Sequence, residues 1–284
     1  MSEYNAAMIA SMVRLAEGVA REAGALIRGG ERARPGARPE VESTKSSPTD
    51  VVTAMDRAVE DLLRARLLEH RPGDGMLGEE AGFQPGSTGL TWVLDPIDGT
   101  VNYLYRIPSY AVSVALVAGD PTVAGAWQPL AGCVHQPATG DTWTAGLGQG
   151  AALGERRLRL PPPPELAQAL VATGFGYRTE RRAGQARVLA GVLPRIRDIR
   201  RIGSAALDLC AVATGTVDAY YERGVNAWDI AAASLVLTEA GGRVSGLRGG
   251  PPGPELVVGA GEPLSAELID VLTALNADTD VSAA

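Results

Sequence analysis

The stretch Trp92–Tyr105, which reads WVLDPIDGTVNYLY, organises the rest of the chain. Its apolar start predicts a buried strand, and this strand delivers the carboxylates of Asp95 and Asp98 into a turn set by a proline and a glycine. Two acids directed at one point repel each other, so the pair indicates a cation, and hard oxygen ligands favour Mg2+, Mn2+ or Ca2+. The alternative is a surface turn that the two carboxylates merely cap.

Gly99 and Thr100 follow these carboxylates directly. If a helix begins there, their backbone N–H groups are available, and N–H groups at a helix N-terminus attract phosphate. A metal ion and a phosphate group are therefore expected to meet at one turn.

Composition limits the classes of protein to consider. The 284 residues are 45% hydrophobic and 21% charged, as in soluble globular proteins with one large core or two fused cores. The formal net charge of −7, with no basic run between aromatics, argues against nucleic-acid or anionic-membrane partners. The two cysteines, Cys133 and Cys210, cannot form a disulfide framework or a zinc cluster. Since no long apolar run predicts a membrane span, we expect a cytoplasmic protein.

Hydrophobic periodicity predicts the secondary structure. Helices are expected at residues 4–28, 54–70, 184–195, 204–214, 227–239 and 266–275. Strands are expected at 76–77, 92–94, 170–173, 217–222 and 256–260, and turn residues between 110 and 160 predict a run of hairpins in an antiparallel sheet. The polar segment 31–50 predicts a loop. Four prolines at 161–164 predict a boundary between two subdomains, 1–160 and 161–284.

Further carboxylates lie at the ends of predicted elements. Glu79 follows a short strand directly before the strand that ends at Asp95, so the two acids are expected near one ion. Asp229 begins a very apolar helix, where it either stabilises the helix N-terminus or has a charged partner. Asp56 lies three residues after Thr53, so a capping role and a metal-related role both stay open.

Taken together, these segments resemble the inositol monophosphatase family of metal-dependent sugar phosphatases over nearly the whole chain. The stretch at 92–105 is similar to the first signature of that family, and WDIAAASLVLTEAGG at 228–242 is similar to the second. Gly78-Glu79-Glu80 is similar to the acidic strand end that precedes the first signature. Further likeness lies at 45–50 with Asp56, at 201–206 and at 218–222.

The resemblance implies a fold and an activity. The fold would be α/β, a layered α-β-α-β-α sandwich of the sugar phosphatase type, and the protein would be a homodimer. It would hydrolyse a small phosphorylated polyol with two to three Mg2+ ions. Mn2+ would be an alternative ion, and Li+ and Ca2+ would be inhibitors.

The resemblance also implies the metal ligands. Glu79, Asp95 and the backbone carbonyl of Ile97 would hold the first ion. Asp95, Asp98 and Asp229 would hold the second ion, so Asp95 would bridge the two.

Catalytic roles follow from the same resemblance. Thr100, with Glu79, would orient and deprotonate the attacking water, and Asp95 completes the set of catalytic residues. A third ion near Glu79 would involve Asp56 mostly through water. The N–H groups of Gly99 and Thr100 would hold the phosphate, so no arginine clamp is required.

On the substrate side, Glu222 would accept a hydrogen bond from a sugar hydroxyl. The small residues Gly203, Ser204 and Ala205 would form a wall beside it that suits a neutral polyol. The full set of predicted substrate contacts is Lys45, Asp98, Gly99, Thr100, Gly203, Ser204, Ala205, Glu222 and Asp229.

Rival functions share the same motifs. Relatives that act on histidinol phosphate, fructose 1,6-bisphosphate or a 3′-phosphonucleotide keep the metal ligands and differ in the substrate wall. A non-catalytic relative that binds phosphometabolites or a protein would have lost a metal carboxylate or Thr100, and none is lost. His70 and His135 match no family site, and we expect both on the surface.

Overall fold

The computed structural model describes residues 4–33, 39–45, 48 and 51–279. Its N-terminal part contains two helices and a two-stranded antiparallel sheet: α1 (Ala6–Ala33), β1 (Val41–Thr44), β2 (Val51–Thr53) and α2 (Ala54–His70). The first helix was predicted to end at residue 28, before Gly29-Gly30, and this end is wrong, because α1 continues to Ala33. A β-carbon on Gly30 would clash with the Met55 side chain, so close packing on α2 offsets the low helix propensity of glycine.

The segment 31–50, predicted as a loop, contains the last turn of α1 and the strand β1. Ser46, Ser47, Thr49 and Asp50 lie outside the described residues. The predicted start of α2 after Thr53 is confirmed, with Thr53 as its N-cap.

An eight-stranded sheet follows, with the strand order β10-β9-β8-β7-β6-β5-β3-β4. In chain order, its strands and one short helix are β3 (Gly75–Gly78), β4 (Gly82–Gln84), β5 (Leu90–Asp98), α3 (Thr100–Tyr105), β6 (Ala111–Gly119), β7 (Trp127–His135), β8 (Thr142–Gly146), β9 (Gly150–Leu153) and β10 (Arg156–Arg157). Only β3 and β5 pair in parallel, so the predicted run of antiparallel hairpins is confirmed. The parallel pairing brings the ends of β3 and β5 to the same edge.

The second sheet has five strands in the order β12-β11-β13-β15-β14. The remaining elements are β11 (Leu170–Thr173), α4 (Thr179–Val192), β12 (Asp198–Arg200), α5 (Ala205–Thr214), β13 (Ala219–Glu222), α6 (Ala227–Glu239), β14 (Arg243–Ser245), β15 (Val257–Ala260) and α7 (Leu264–Ala274). The strands missing from the sequence prediction include β4, β12 and β14, which have three residues each and lie at sheet edges. Three residues are too few to show an alternating pattern.

The helices and sheets form five layers. Helices α1 and α2 cover one face of the large sheet, α5 and α6 fill the space between the sheets, and α4 and α7 lie outside the small sheet. Because α6 contacts sheets on both sides, it is apolar around most of its circumference, with every residue from Ile230 to Leu237 buried. A β-carbon on Gly132 of β7 would lie 3.0 Å from the Cα of Ala232, so α6 packs directly on the strand backbone. Among the described residues, no helix combines the length and apolar character needed to cross a membrane.

Candidate metal and phosphate site

The turn after β5 and the first turn of α6 bring three carboxylates together. Oxygen atoms of Asp95, Asp98 and Asp229 lie within 4.8 Å of one another. Asp95 and Asp98 come from the end of β5, and Asp229 comes from the second signature, far along the chain. Asp229 also caps its helix, because its Oδ2 accepts a hydrogen bond from the Asn226 backbone N–H at 2.5 Å. The Asp229 side chain therefore both caps α6 and belongs to the carboxylate cluster.

This cluster fits a bound cation. Asp95 is buried, and its Oδ1 has no hydrogen-bond partner among the described residues. Burial, followed by the charges of Glu79, Asp98 and Asp229, raises the pKa of Asp95 well above its ordinary value. Burial also raises the pKa of Asp98 to about 6. A divalent cation with oxygen ligands would relieve this repulsion and satisfy the unpaired oxygen.

The N-terminus of α5 holds Asp98 in place. Asp98 Oδ2 accepts hydrogen bonds from the Ser204 hydroxyl and from the Ala206 backbone N–H, each at 2.7 Å. Ser204 is also the N-cap of α5, since its hydroxyl oxygen accepts from the Leu207 N–H. The predicted wall segment 203–205 therefore positions a predicted metal ligand as well as lining part of the cavity.

Glu79 lines the same cavity as the cluster and pairs with Lys45. The Lys45 Nζ is 2.9 Å from a Glu79 oxygen and 2.5 Å from a Glu80 oxygen. Burial raises the pKa of Glu79 to about 7, and the Lys45 charge acts against that rise. Burial lowers the pKa of Lys45, but the Glu79 charge and the hydrogen bonds that Lys45 donates to both glutamates outweigh it and raise the pKa above its ordinary value.

Thr100 connects this site to the start of α2. Its hydroxyl lies 3.0 Å from Asp56 Oδ1 and 3.0 Å from the Ile97 carbonyl oxygen. Asp56 Oδ2 accepts hydrogen bonds from the Thr53 N–H and hydroxyl, so Asp56 does cap α2. Asp56 is fully buried behind Thr100 rather than at the cavity surface.

One cavity of about 540 Å³ joins most of the predicted site residues. Its lining includes Lys45, Glu79, Asp95, Ile97, Asp98, Gly99, Thr100, Gly203, Ala205, Glu222 and Asp229. Ser204 and Asp56 lie behind this surface. Gly99 has φ +97°, and a β-carbon on it would lie 3.0 Å from the carbonyl oxygens of Gly203 and Ser109, so this turn requires glycine.

The helix after Gly99 begins at Thr100 as expected, and it has six residues. Its dipole is therefore that of little more than one turn.

Glu222, the last residue of β13, also lines the cavity. Its Oε2 accepts a hydrogen bond from the Tyr220 hydroxyl at 3.0 Å. The carboxylate lies directly over Gly174, where any β-carbon would clash with it. Burial raises the pKa of Glu222 to about 7.

Five charged residues near this site received no role from the sequence. Four are arginines that line the cavity: Arg178, Arg181, Arg201 and Arg223. The fifth is Asp208 on α5, which is fully buried, and neither of its carboxylate oxygens has a hydrogen-bond partner among the described residues. The signal for Asp208 was present, because it is the one charged residue of the otherwise apolar helix α5.

Asp208→Asn is expected to stabilise the metal-free protein by about 2 kcal/mol at pH 8. Burial, then the charges of Glu222 and Asp98, raises the pKa of Asp208 to about 9. Because the folded pKa is the higher one, stability contributed by this carboxyl is complete below its unfolded pKa and is lost as pH rises towards 9. Asparagine does not titrate, so the difference between the two proteins should grow with pH.

Urea unfolding in EDTA at pH 5 and pH 8 measures this difference. Asp270→Asn, on the exposed face of α7, provides the matched control and should leave stability unchanged at both values. A variant less stable than wild type at pH 8 would contradict the account of Asp208.

The prediction that His135 lies on the surface is wrong, whereas His70 is exposed as expected. His135 ends β7 beneath α1 and packs against Gly24, with its Nδ1 2.8 Å from the Thr142 hydroxyl. Burial lowers the pKa of His135 to about 4, so the side chain is neutral at physiological pH.

Comparisons with known proteins identify relatives along almost the whole chain. A sequence model described as "Inositol monophosphatase family" matches residues 8–278. The chain is 47% identical over 278 residues to "Inositol-1-monophosphatase" of Mycobacterium bovis, covering 92% of this chain and 93% of that protein. It is 39% identical over 226 residues to "Nus factor SuhB" of Xylella fastidiosa, covering 76% of this chain and 79% of that protein.

Solved structures share the architecture. The structure of "Mycobacterium tuberculosis SuhB" has 42% sequence identity and a TM-score of 0.77, covering 95% of this chain and 98% of that chain. The expected sandwich fold is therefore confirmed, and the sequence match extends over both signatures. This chain belongs to the inositol monophosphatase family of metal-dependent phosphoric monoester hydrolases.

Proposed function

We propose that this protein uses Mg2+ to hydrolyse inositol 1-phosphate, or a similar polyol monophosphate, by direct attack of water. The observation that carries the proposal is the cluster of Asp95, Asp98 and Asp229, which lines the same cavity as Glu222. The carboxylate cluster suits metal and phosphate, and Glu222 in the same cavity offers an acceptor for a hydroxyl group. A relative at 47% identity is named an inositol-1-monophosphatase, which supports the same substrate.

Five groups are proposed to hold two Mg2+ ions. Glu79, Asp95 and the Ile97 carbonyl would hold one, and Asp95, Asp98 and Asp229 would hold the other. When bound, such ions lower the pKa of water and stabilise the charge that develops on a leaving alkoxide. Mg2+ rather than a softer metal is proposed because every ligand is oxygen.

Thr100 and Glu79 are proposed to orient the attacking water and to accept its proton. The Thr100 hydroxyl has one hydrogen, which it donates to Asp56 or to the Ile97 carbonyl, so its oxygen can accept a hydrogen bond from water. Glu79 lines the same cavity as Thr100, and its carboxylate is the general base in this proposal. The N–H groups of Gly99 and Thr100 are proposed to bind the phosphate oxygens.

The assembly and location are further parts of the proposal. We propose a cytoplasmic homodimer, whose two subdomains at 1–160 and 161–284 each contribute ligands to the active site. Loss of a metal carboxylate would favour a non-catalytic binding protein, but the three clustered acids and Glu79 are all present. We therefore prefer an enzymatic function to that of a non-catalytic binding protein.

A panel of phosphate esters tests the activity and the substrate together. Phosphate release from inositol 1-phosphate, histidinol phosphate, fructose 1,6-bisphosphate and a 3′-phosphonucleotide is measured with Mg2+ and then with EDTA. Inositol 1-phosphate should be hydrolysed well, and EDTA should abolish release. A strong preference for histidinol phosphate or fructose 1,6-bisphosphate would reject the substrate, and activity that survives EDTA would reject the metal mechanism.

Glu222→Gln is expected to raise KM for inositol 1-phosphate about 10-fold while hardly changing hydrolysis of p-nitrophenyl phosphate. Glu222 lines the cavity but is not one of the proposed metal ligands, so its loss should remove binding of the polyol rather than chemistry at phosphorus. Steady-state kinetics on both esters measure the effect, with Glu267→Gln on exposed α7 as control. Equal losses on both esters would mean that Glu222 only supports β13.

A further inference from the structure

Glu60 on α2 is a buried carboxylate that received no role from the sequence. Its exposed fraction is 1%. Charged side chains are rarely buried to this extent unless they are paired and hydrogen-bonded. The partners of Glu60 lie in the turn between β3 and β4, which carries Glu79.

The Glu60 carboxylate accepts hydrogen bonds from two consecutive backbone N–H groups of this turn. Its Oε2 accepts from the Glu80 N–H at 2.8 Å, and its Oε1 accepts from the Ala81 N–H at 3.0 Å. A β-carbon on Gly78 would clash with the same carboxylate, so the end of β3 leaves room for Glu60. The carboxylate therefore contacts the backbone just before and just after Glu79.

Arg64 completes the contact between α2 and this turn. Its Nε donates to Glu60 Oε1 at 2.8 Å, and its Nη2 donates to the Gly82 carbonyl at 2.7 Å. Such hydrogen bonds offset the cost of burying an ion pair. The Glu79 N–H donates to the Leu94 carbonyl of β5 at 3.3 Å. Each residue of the turn is thus held through its main chain.

This contact does not occupy the carboxylate of Glu79. Lys45 contacts the Glu79 carboxylate itself, at 2.9 Å, whereas Glu60 contacts only backbone groups beside it. A side chain that fixes the backbone can orient Glu79 and still leave its oxygens to a metal ion.

Helix α2 supports Thr100 in a similar way. Asp56 lies four residues before Glu60, on the same face of α2, and it is also buried. Its Oδ1 lies 3.0 Å from the Thr100 hydroxyl. One face of α2 therefore contacts both Thr100 and the turn that carries Glu79, the two residues proposed to act on the attacking water.

We propose that Glu60 is a positioning residue, which orients Glu79 for metal binding and water activation by fixing the backbone of the turn after β3. The inference rests on the proposed function, which assigns Glu79 to the first ion. Loss of Glu60 should weaken the ion site that uses Glu79. The site formed by Asp95, Asp98 and Asp229 should remain.

Glu60→Gln tests this inference with little change in shape. An amide has one acceptor oxygen and one donor nitrogen, so in either orientation its NH2 group faces the N–H of Glu80 or of Ala81. Hydrogen exchange of the metal-free protein in EDTA is resolved to single amides by mass-spectrometric fragmentation. Exchange at these two amides should be about 10-fold faster than in wild type, since a hydrogen bond to a charged acceptor is worth a factor of this order.

Metal binding and turnover are measured on the same protein. Electron paramagnetic resonance counts free Mn2+, and Glu60→Gln should bind about one ion fewer per chain at a Mn2+ concentration that saturates wild type. At a fixed Mg2+ concentration, kcat/KM for inositol 1-phosphate should fall about 10- to 100-fold, as is usual when a partner that orients a metal ligand is lost.

Gly78→Ala is a second variant that acts on the same contact. Its methyl group would take the place of the Glu60 carboxylate, so it should reproduce the faster exchange and the lost ion without removing a charge. It provides the test if Glu60→Gln does not fold.

Asp74→Asn is the matched control. Asp74 is 5% exposed and pairs with an arginine at 2.8 Å, as Glu60 does, but it lies at the other end of β3 from Glu79. Thermal unfolding should show a comparable loss of stability in the two variants. Exchange at the two turn amides and the number of bound Mn2+ ions should match wild type in Asp74→Asn.

The outcomes separate this inference from the proposed function. If wild type hydrolyses no phosphate ester, the proposed function fails, yet faster exchange in the turn and the loss of one Mn2+ ion in Glu60→Gln would still support positioning of Glu79. Unchanged exchange, unchanged Mn2+ binding, or equal effects in Asp74→Asn would each overturn the inference.

Discussion

Asp95→Asn is expected to abolish metal-dependent phosphatase activity, with a loss of at least ~10³-fold in kcat/KM. Asp95 is the one carboxylate assigned to both ions, and its buried Oδ1 has no other partner among the described residues. Asparagine keeps the shape of the side chain but removes the charge that binds the cations. Both ion sites should therefore weaken together.

The same substitution should not reduce the stability of the metal-free protein. Burial and the charges of Glu79, Asp98 and Asp229 raise the pKa of Asp95 well above its unfolded value, so its carboxyl group costs stability increasingly as pH rises. Removing that carboxyl relieves the repulsion.

Phosphate release with Mg2+ and thermal unfolding in EDTA, both at pH 8, check the two halves of this prediction. Asp61→Asn, on the exposed face of α2, is the control for a lost carboxylate outside the cavity. Near-wild-type turnover by a folded Asp95→Asn protein would rule out the assignment of Asp95 to both ions.

Thr100→Ala is expected to lower kcat about 10²-fold with little change in Mg2+ affinity. The Thr100 hydroxyl lies between Asp56 and the Ile97 carbonyl, and in the proposed mechanism it positions water without contacting the metal. Its removal also leaves Asp56 Oδ1 without this donor, which should cost about 1 kcal/mol of stability.

Thr100→Ser provides the conservative comparison, because it keeps the hydroxyl and should recover most of kcat. Measurements of kcat and of the Mg2+ concentration for half-maximal rate separate positioning from metal binding. A collapse of Mg2+ affinity in Thr100→Ala would mean that Thr100 acts structurally, through Asp56 and the start of α2.

Local sequence pattern determined the elements that supply the site. The apolar run before Asp95 predicted the end of β5, and the charge at Asp229 in an apolar segment predicted the start of α6. Such signals are reliable because burial of a strand or of a helix between two sheets requires a long apolar run. The motifs at 78–80, 92–105 and 228–242 together were enough to recognise the family from sequence.

Tertiary packing decided the features that no local pattern carries. The length of α1 depends on Met55 packing on Gly30, and the burial of His135 depends on α1 lying over β7 at Gly24. The local conformational preference of a short polar or glycine-containing segment is nearly the same whether the segment is buried or exposed. Contacts with distant residues therefore decide its conformation and its burial.

The charges around the site were decided in the same way. The pairing of Lys45 with Glu79 and the presence of four arginines in the cavity lining each join residues from different elements. The packing of α5 leaves the Asp208 carboxylate without a hydrogen-bond partner among the described residues. The sequence by itself determined which acids could bind a metal ion, because metal ligands recur in recognisable motifs. Only the folded chain determined which cations share the cavity with them, because electrostatic interactions depend on distance and burial rather than on order along the chain.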